Sequence, residues 1–401
     1  MATKPKPTIF LSAGEASGDH YGAQLITALK DALPEAGYTG LGGTEMEQTG
    51  QQRTIRAEDV AVMGITEILR HIPHIYRSYR RLVAEIKINK PDVAVLIDFP
   101  DVNFRLAKHL HRAGVPVLWF VSPQLWAWKR SRLRWVQQRV SKMFVIFPFE
   151  QEFYRNRGVD ATFTGHPLAD LPLPTVTREE YAERNSLDPA KQWVALLPGS
   201  RWKEVRANLP AMVEAAQQYP PNVEFILPIA ATLQRSEFAA YLESLRTPQG
   251  KTSFTLVHDA RAALHHARAS VVASGTATVQ AALIGNPFLV VYRVSDLTFR
   301  VAKRLIRYPA EIPAPKDQYG NLPIAMPNLI AGKRIVPELL QNHSDAIEIK
   351  KILNLLLEDS PERAAQIADL ASLRKLMKPA NNTTAIGQLK DAVLQALGIR
   401  S

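Results

Sequence analysis

Short apolar runs alternate with stretches of helical spacing along most of this chain, and that alternation limits the folds open to it. The pattern starts at once. Ile9 to Leu11 is apolar, Gly14 to Asp19 is a tight turn of small residues, and Gly22 to Lys30 carries Leu25, Ile26 and Leu29 on one face. Strand, turn and helix in that order open a parallel sheet that binds ligands outside its strands' carboxyl ends. Within Pro91–Pro100, Val115–Val121 and Lys142–Phe147 are further apolar runs, separated by helical stretches at Val102–Ala113 and Leu133–Val140. Continuous apolar runs of this length suit strands buried on both faces. Pro172, Pro174 and the polar Thr175–Glu180 read as a linker. A second series follows: Trp193–Leu197, Val223–Leu227, Phe254–Val257, Ser270–Ala273, the helical Val279–Ile284, then Phe288–Tyr292. The expected class is α/β, with two doubly wound, Rossmann-like parallel sheets in domains 1–168 and 169–375. The tail, 376–401, ends a stretch of helical spacing from Asp369 to Leu397 that reads as returning to the first domain.

At 401 residues two domains are the default. The chain has no cysteine, so it builds no disulfide framework, Cys-based metal site or thiol nucleophile, which suits a reducing cytoplasm. Met1 to Pro7 has two lysines but no long apolar core after it, so no signal peptide is expected. No apolar stretch of about 18 residues is present for a spanning helix. The net charge of +11 calls for an anionic partner: nucleic acid, a membrane surface or a phosphorylated substrate.

Several motifs could meet such a partner. Ser17 and Gly18 lie in the opening turn. Pro198-Gly199-Ser200-Arg201 puts small residues and a guanidinium after a strand, with Glu204 on the next helical turn; an ordinary turn with a surface arginine fits it equally well. Ser274, Gly275, Thr276 and Ala277 open a helix after a strand, where free N–H groups favour a diphosphate, though a plain N-cap explains the pattern alone. Two such turns in one domain favour nucleotide binding. Asp98 and Asp101 flank Phe99-Pro100 at a strand end, where a general base would serve, while a helix N-cap suits Asp101 better. His20 is the second candidate base. No D-x-D, HExxH or Cys/His cluster is present, so no metal is expected. His265-His266 reads as a solvated pair. Ser122-Pro-Gln-Leu-Trp-Ala-Trp-Lys129 suits sugar stacking or a membrane interface as well as it suits core packing.

Met63 to Leu82 carries Ile65, Ile68, Leu69, Ile72, Ile75, Tyr76, Tyr79 and Leu82 at helical spacing, with Arg70, Arg77, Arg80 and Arg81 between them. A basic amphipathic helix, bent at Pro73 if continuous, also fits an outer helix of an α/β fold, and its density of basic residues favours a membrane surface. Phe299–Tyr308, with Arg300, Lys303, Arg304 and Arg307, extends the same basic character.

As literal sequence, Ala13-Gly14-Glu15-Ala16-Ser17-Gly18-Asp19 resembles the signature of the lipid-A-disaccharide synthase family. The resemblance continues through Val62-Met63-Gly64-Ile65, Ile97-Asp98, Pro100-Asp101, Trp126-Ala127-Trp128, Leu197 to Arg201, Ser274 to Ala277, Ala302 to Leu305 and Pro327 to Gly332. It implies the GT-B architecture, two Rossmann-like domains facing across a cleft. It implies transfer of 2,3-diacylglucosamine from UDP-2,3-diacylglucosamine to 2,3-diacylglucosamine 1-phosphate, giving a β-1,6 disaccharide. Inversion, no metal or cofactor, and peripheral association with the cytoplasmic face of an anionic inner membrane are also implied. So are Asp98 as base, a substrate contact near Asn328, and a homodimer built through the Pro327-Asn328 region. Gln280 stands where family members commonly carry Glu, at the position expected to hold the ribose, and an amide can serve a hydroxyl too. The Ala310–Pro323 loop is longer than the family's usual connection. Two rivals are a UDP-sugar 2-epimerase of the same fold and a non-catalytic binder of anionic lipid or nucleic acid; no nucleic-acid module is recognisable.

Overall fold

The computed structural model describes residues 6–61, 65–247, 252–379 and 383–399, leaving aside the side chains of 60–61 and 65–75. Two compact units form, Met1–Pro167 with Met377–Ser401, and Leu168–Leu376.

The first unit holds a parallel sheet of seven strands: β1 (Thr8–Ala13), β2 (Gly37–Gly42), β3 (Gln52–Arg56), β4 (Val93–Ile97), β5 (Val117–Phe120), β6 (Lys142–Val145) and β7 (Ala161–Phe163). Their order is β3-β2-β1-β4-β5-β6-β7. Every residue of β4 and β5 is buried, which is why these strands read as unbroken apolar runs. β2 and β3 escape that signal. β2 reads Gly-Tyr-Thr-Gly-Leu-Gly and pairs because β1 provides the template. Gly40 has φ +127°, and a Cβ there would lie 2.1 Å from the Leu11 carbonyl oxygen, so glycine alone lets the strands approach.

The second unit repeats the plan with β8 (Gln192–Leu197), β9 (Val223–Pro228), β10 (Ser253–Val257), β11 (Ala269–Ala273), β12 (Phe288–Tyr292) and β13 (Glu338–Leu340), in the order β10-β9-β8-β11-β12-β13. One core cluster runs from Val194 on β8 through Phe225 on β9 to Leu353 and Leu356 of helix Ala346–Leu357.

Three local expectations are corrected. Thr177 begins a helix, Arg178–Asn185, within the expected linker; its hydroxyl accepts from the Glu180 N–H while the Glu180 carboxylate accepts from the Thr177 N–H. His266 is not a solvated partner of His265. Its ring lies 5.4 Å from that of Tyr181, and Nε2 meets the Val176 carbonyl at 3.0 Å. The tail is two helices. Pro361–Leu376 belongs to the second unit, while Ala385–Ala396 packs on helix Ala16–Ala32 of the first.

Candidate active site

In both units the strand order reverses direction between the first strand and the fourth, the point at which open α/β sheets bind ligands. The first unit's reversal lies between β1 and β4, where Ala13 pairs with Ile97. The residues just beyond are Gly14 on one strand and Asp98 on the other. Gly14 makes room for Phe99, since a Cβ there would lie 2.4 Å from the Phe99 ring and displace it. Helix Ala16–Ala32 starts here with no side-chain cap, so Ser17 and Gly18 sit in its uncapped first turn.

Asp98 and Phe99 both take left-handed backbone angles, φ 45° and 47°, a strained arrangement for two consecutive non-glycine residues. The Asp98 N–H donates to the Phe120 carbonyl at 2.9 Å. Asn103, fully buried, secures the rest: Nδ2 donates to the main-chain oxygen of Asp98 at 2.7 Å and of Ile97 at 3.2 Å, and Oδ1 accepts the Ser12 hydroxyl at 2.7 Å. Burial, then the neighbouring Glu15, raise the Asp98 carboxyl to about 6, opposed by the Phe99 N–H. Such a group is ionised at neutral pH yet more basic than an ordinary carboxylate, as a general base should be. Tyr21 lies beside it, its hydroxyl pushed up to about 12 by burial and then by Asp98.

Asp101 does not cap the helix that follows. Pro100 takes the first helical position, so Phe99 is the N-cap, and the Asp101 carboxylate pairs with Arg132 at 2.8 Å. His20 is exposed on helix Ala16–Ala32, with Nδ1 2.7 Å from Glu45 and Nε2 3.0 Å from Gln24. Asp19 is structural: its carboxylate accepts the N–H groups of Gly43, Glu45 and Met46.

The loop after β5 rests on a carboxylate that motif reading passed over. Glu150 is buried and accepts from the Ser122 hydroxyl at 2.8 Å, Trp126 Nε1 at 3.0 Å and the Phe147 N–H at 3.1 Å. Burial raises it to about 7, against the pull of these donors. Trp126 is thereby core, 2% exposed, while Trp128 stands 52% exposed under the Lys129 ammonium, 4.1 Å from the ring centroid. The local signal was a Glu three residues after Phe147, ahead of an apolar helix.

In the second unit the reversal lies between β8 and β11, where Leu197 pairs with Val272. Both expected turns emerge there. Gly199 has φ +131°, and a Cβ would lie 2.4 Å from that of Glu204. Glu204 braces the turn by accepting the Ser200 N–H at 2.9 Å, and Asn208 donates to the Pro198 carbonyl at 3.1 Å. Arg201 is left with its side chain 78% exposed, held only loosely by Glu204 at 3.9 Å. Gly275 is the N-cap of helix Thr276–Ile284, with φ +154° and no side-chain cap. Gln280 lies one helical turn beyond Thr276, half-buried, and Ala277 is half-buried too. A guanidinium and an uncapped helix start on adjacent strands suit a diphosphate.

Asn328 is taken up internally. It is fully buried; Oδ1 accepts the N–H groups of Ile335 and Val336, and Nδ2 donates to the Val336 carbonyl and to Glu338. The Ala310–Pro323 loop is also braced within the unit, with Lys303 Nζ 2.8 Å from Asn321 Oδ1 and Arg334 donating to the Pro315 carbonyl. Of the expected membrane contacts, Tyr76 is exposed; Ile65, Ile68, Leu69, Ile72 and Ile75 lie outside the described side chains, and Val62 to Gly64 lie outside the described residues. Helix Ile65–Asn89 is continuous, and among the described residues no helix is long and apolar enough to cross a membrane.

Two Rossmann-like sheets, each with an uncapped helix start at its point of reversal, define a protein of the GT-B fold class. Solved structures share that fold: the S. aureus MnaA–UDP structure aligns with a TM-score of 0.62 at 13% identity, covering 98% of this chain and 97% of that one. The lipid-A-disaccharide synthetase family model matches residues 9–390. The lipid-A-disaccharide synthase of Acidobacterium capsulatum is 52% identical over 389 residues, 94% of each chain. That of Koribacter versatilis is 46% identical, over 96% of this chain and 97% of its own. The chain belongs to the lipid-A-disaccharide synthase family of glycosyltransferases. The epimerase rival is left with a likeness of fold alone.

Proposed function

We propose that the chain joins UDP-2,3-diacylglucosamine to 2,3-diacylglucosamine 1-phosphate, releasing UDP and the β-1,6-linked disaccharide 1-phosphate. The observation that carries the reading is Asp98, a partly buried carboxylate held at a sheet reversal point with its pKa raised to about 6. A sugar hydroxyl is a poor nucleophile at neutral pH and must lose its proton as it attacks. Asp98 takes the proton from the acceptor's 6-hydroxyl, whose oxygen bonds the donor's anomeric carbon. The bond to UDP breaks on the opposite face, so the configuration inverts. The diphosphate gains charge as it leaves. Arg201 and the N–H groups around Thr276 and Ala277 meet that charge, with Ser200 and Ser274 beside them and Gln280 on the ribose. Ser17 and Gly18 border the acceptor.

Incubating the purified protein with both acylated sugars, and following UDP and disaccharide together, tests this. Equal amounts of each product are expected. UDP-sugar consumption without disaccharide overturns the reading.

We also propose a peripheral site of action, on the cytoplasmic face of an anionic inner membrane. Exposed Arg77, Arg80 and Arg81 on helix Ile65–Asn89, and exposed Leu297, Val301 and Leu305 on helix Asp296–Leu305, support it. Replacing Ile68, Leu69, Ile72 and Ile75 with Ser should release the protein from vesicles without changing its circular dichroism. Unfolding would sink the interface reading, since four core truncations cost about 2–5 kcal/mol each. We propose a homodimer as well, and sedimentation equilibrium tests it separately.

A further inference from the structure

Along helix Pro100–Arg112 of the first unit lies a basic pocket whose residues the proposed transfer does not use. It measures about 290 Å³ and is lined by residues of three helices. Helix Pro100–Arg112 contributes Asp101, Phe104, Arg105, Lys108 and His109, which recur at three- and four-residue spacing and so share one stripe. Helix Ile65–Asn89 contributes Tyr79, and the Leu133–Arg139 segment contributes Trp135 and Arg139, with Arg132 just before it.

Four permanent cations face this space, and among the described residues lining it Asp101 is the one carboxylate. That carboxylate is already paired with Arg132. Arg132 and Arg139 lie 5.7 and 5.2 Å from the Trp135 ring centroid, so the indole stacks under two guanidinium groups and limits their motion. Arg139 is further fixed by donating to the Phe104 carbonyl at 3.1 Å, and His109 Nε2 meets the Tyr79 hydroxyl at 2.9 Å. Burial, then Lys87, Lys108 and Arg112, hold His109 below the ordinary histidine range, so the pocket's positive charge comes from its arginines and lysine. Guanidinium forks and an ammonium around one cavity suit the several oxygens of a tetrahedral phosphate, monoester or diester, better than the two of a planar carboxylate.

We propose that this pocket binds a phosphate group, carried by a lipid headgroup or by a small soluble phosphate compound. The pocket shares neither Asp98 nor Arg201 with the transfer step.

The test uses the full-length protein and the double variant Arg105→Glu with Lys108→Glu, both at exposed helix positions where folding should survive. Lys30→Glu with Lys378→Glu is the charge-matched control on other elements, and circular dichroism checks all three proteins. One arm measures phosphorus line broadening of inorganic phosphate and glycerol 3-phosphate. The other measures flotation with phosphatidylglycerol vesicles, against vesicles made anionic with oleic acid. The proposal expects at least a tenfold weaker phosphate or phosphatidylglycerol affinity in the pocket variant, and little change in the control. Loss confined to the vesicle arm assigns the phosphate to a lipid, and loss in the soluble arm to a free compound. Equal loss in both variants, equal retention in both, or equal binding to oleate vesicles overturns the pocket. Should the charge-reversed variant misfold, saturable broadening by phosphate but not acetate on the unmodified protein supports the site, and its absence overturns it.

Discussion

Asn103 donates its side-chain amide to the main-chain oxygen of Asp98 at 2.7 Å while its carbonyl accepts the Ser12 hydroxyl, so one buried side chain joins the ends of β1 and β4. Asp98 keeps its left-handed backbone because this network over-determines it. Asn103→Ala leaves both partners buried and unpaired, at a cost of about 1–3 kcal/mol. Denaturant titration should register that loss. Turnover should fall more than donor binding, because the bond serves the base rather than the donor. A variant of normal stability and turnover would show that the network is idle.

Asp98→Asn should fold and bind donor, since asparagine tolerates the left-handed region, yet lose turnover by roughly 10²–10⁴-fold. In the unmodified protein kcat/KM should fall below pH 6, as the carboxylate is protonated. Stability runs the other way. The folded carboxyl binds its proton more tightly than the unfolded one, whose value is near 3.8, so stability drops as pH rises from about 4 to 6. Asp98→Asn should therefore have a higher Tm than the parent at pH 8, and the gap should close near pH 4. His20→Ala should lose less than tenfold in turnover, and a greater loss than in Asp98→Asn would reverse the assignment.

Arg201 is exposed and only loosely held, as a residue awaiting an anion would be. Arg201→Ala should lower kcat by about 10²-fold or more, the scale of losing one charge-stabilising group in a transition state. Stability should hardly change, given the exposure. Near-normal kinetics would show that this turn does not hold the diphosphate.

Three donors converge on Glu150, so no neutral residue replaces it cleanly. Glu150→Ala orphans them and opens a cavity, which should cost on the order of 3 kcal/mol. Trp126 emission should shift to longer wavelength as the loop loosens. An unshifted spectrum with full stability would rule out this carboxylate as the loop's anchor.

Much of this was legible in the residues themselves. β4 and β5 are buried throughout, and β8 and β11 nearly so, so apolar side chains dominate them and the runs announce the strands. The Pro198–Arg201 and Ser274–Ala277 turns stand out as a pair that follows strands of one domain, although each alone fits a plain turn or an N-cap. Other features depended on partners remote in the chain. β2 exists because β1 lies beside it. Asp101 lost the cap to Phe99, and Asn103 and Glu150 became anchors through Ser12 and Ser122, 91 and 28 residues away. Composition and spacing record what a residue is able to do. Strand order decides which of those residues meet, because pairing β1 with β4 and β8 with β11 gathers strand ends that the chain keeps far apart.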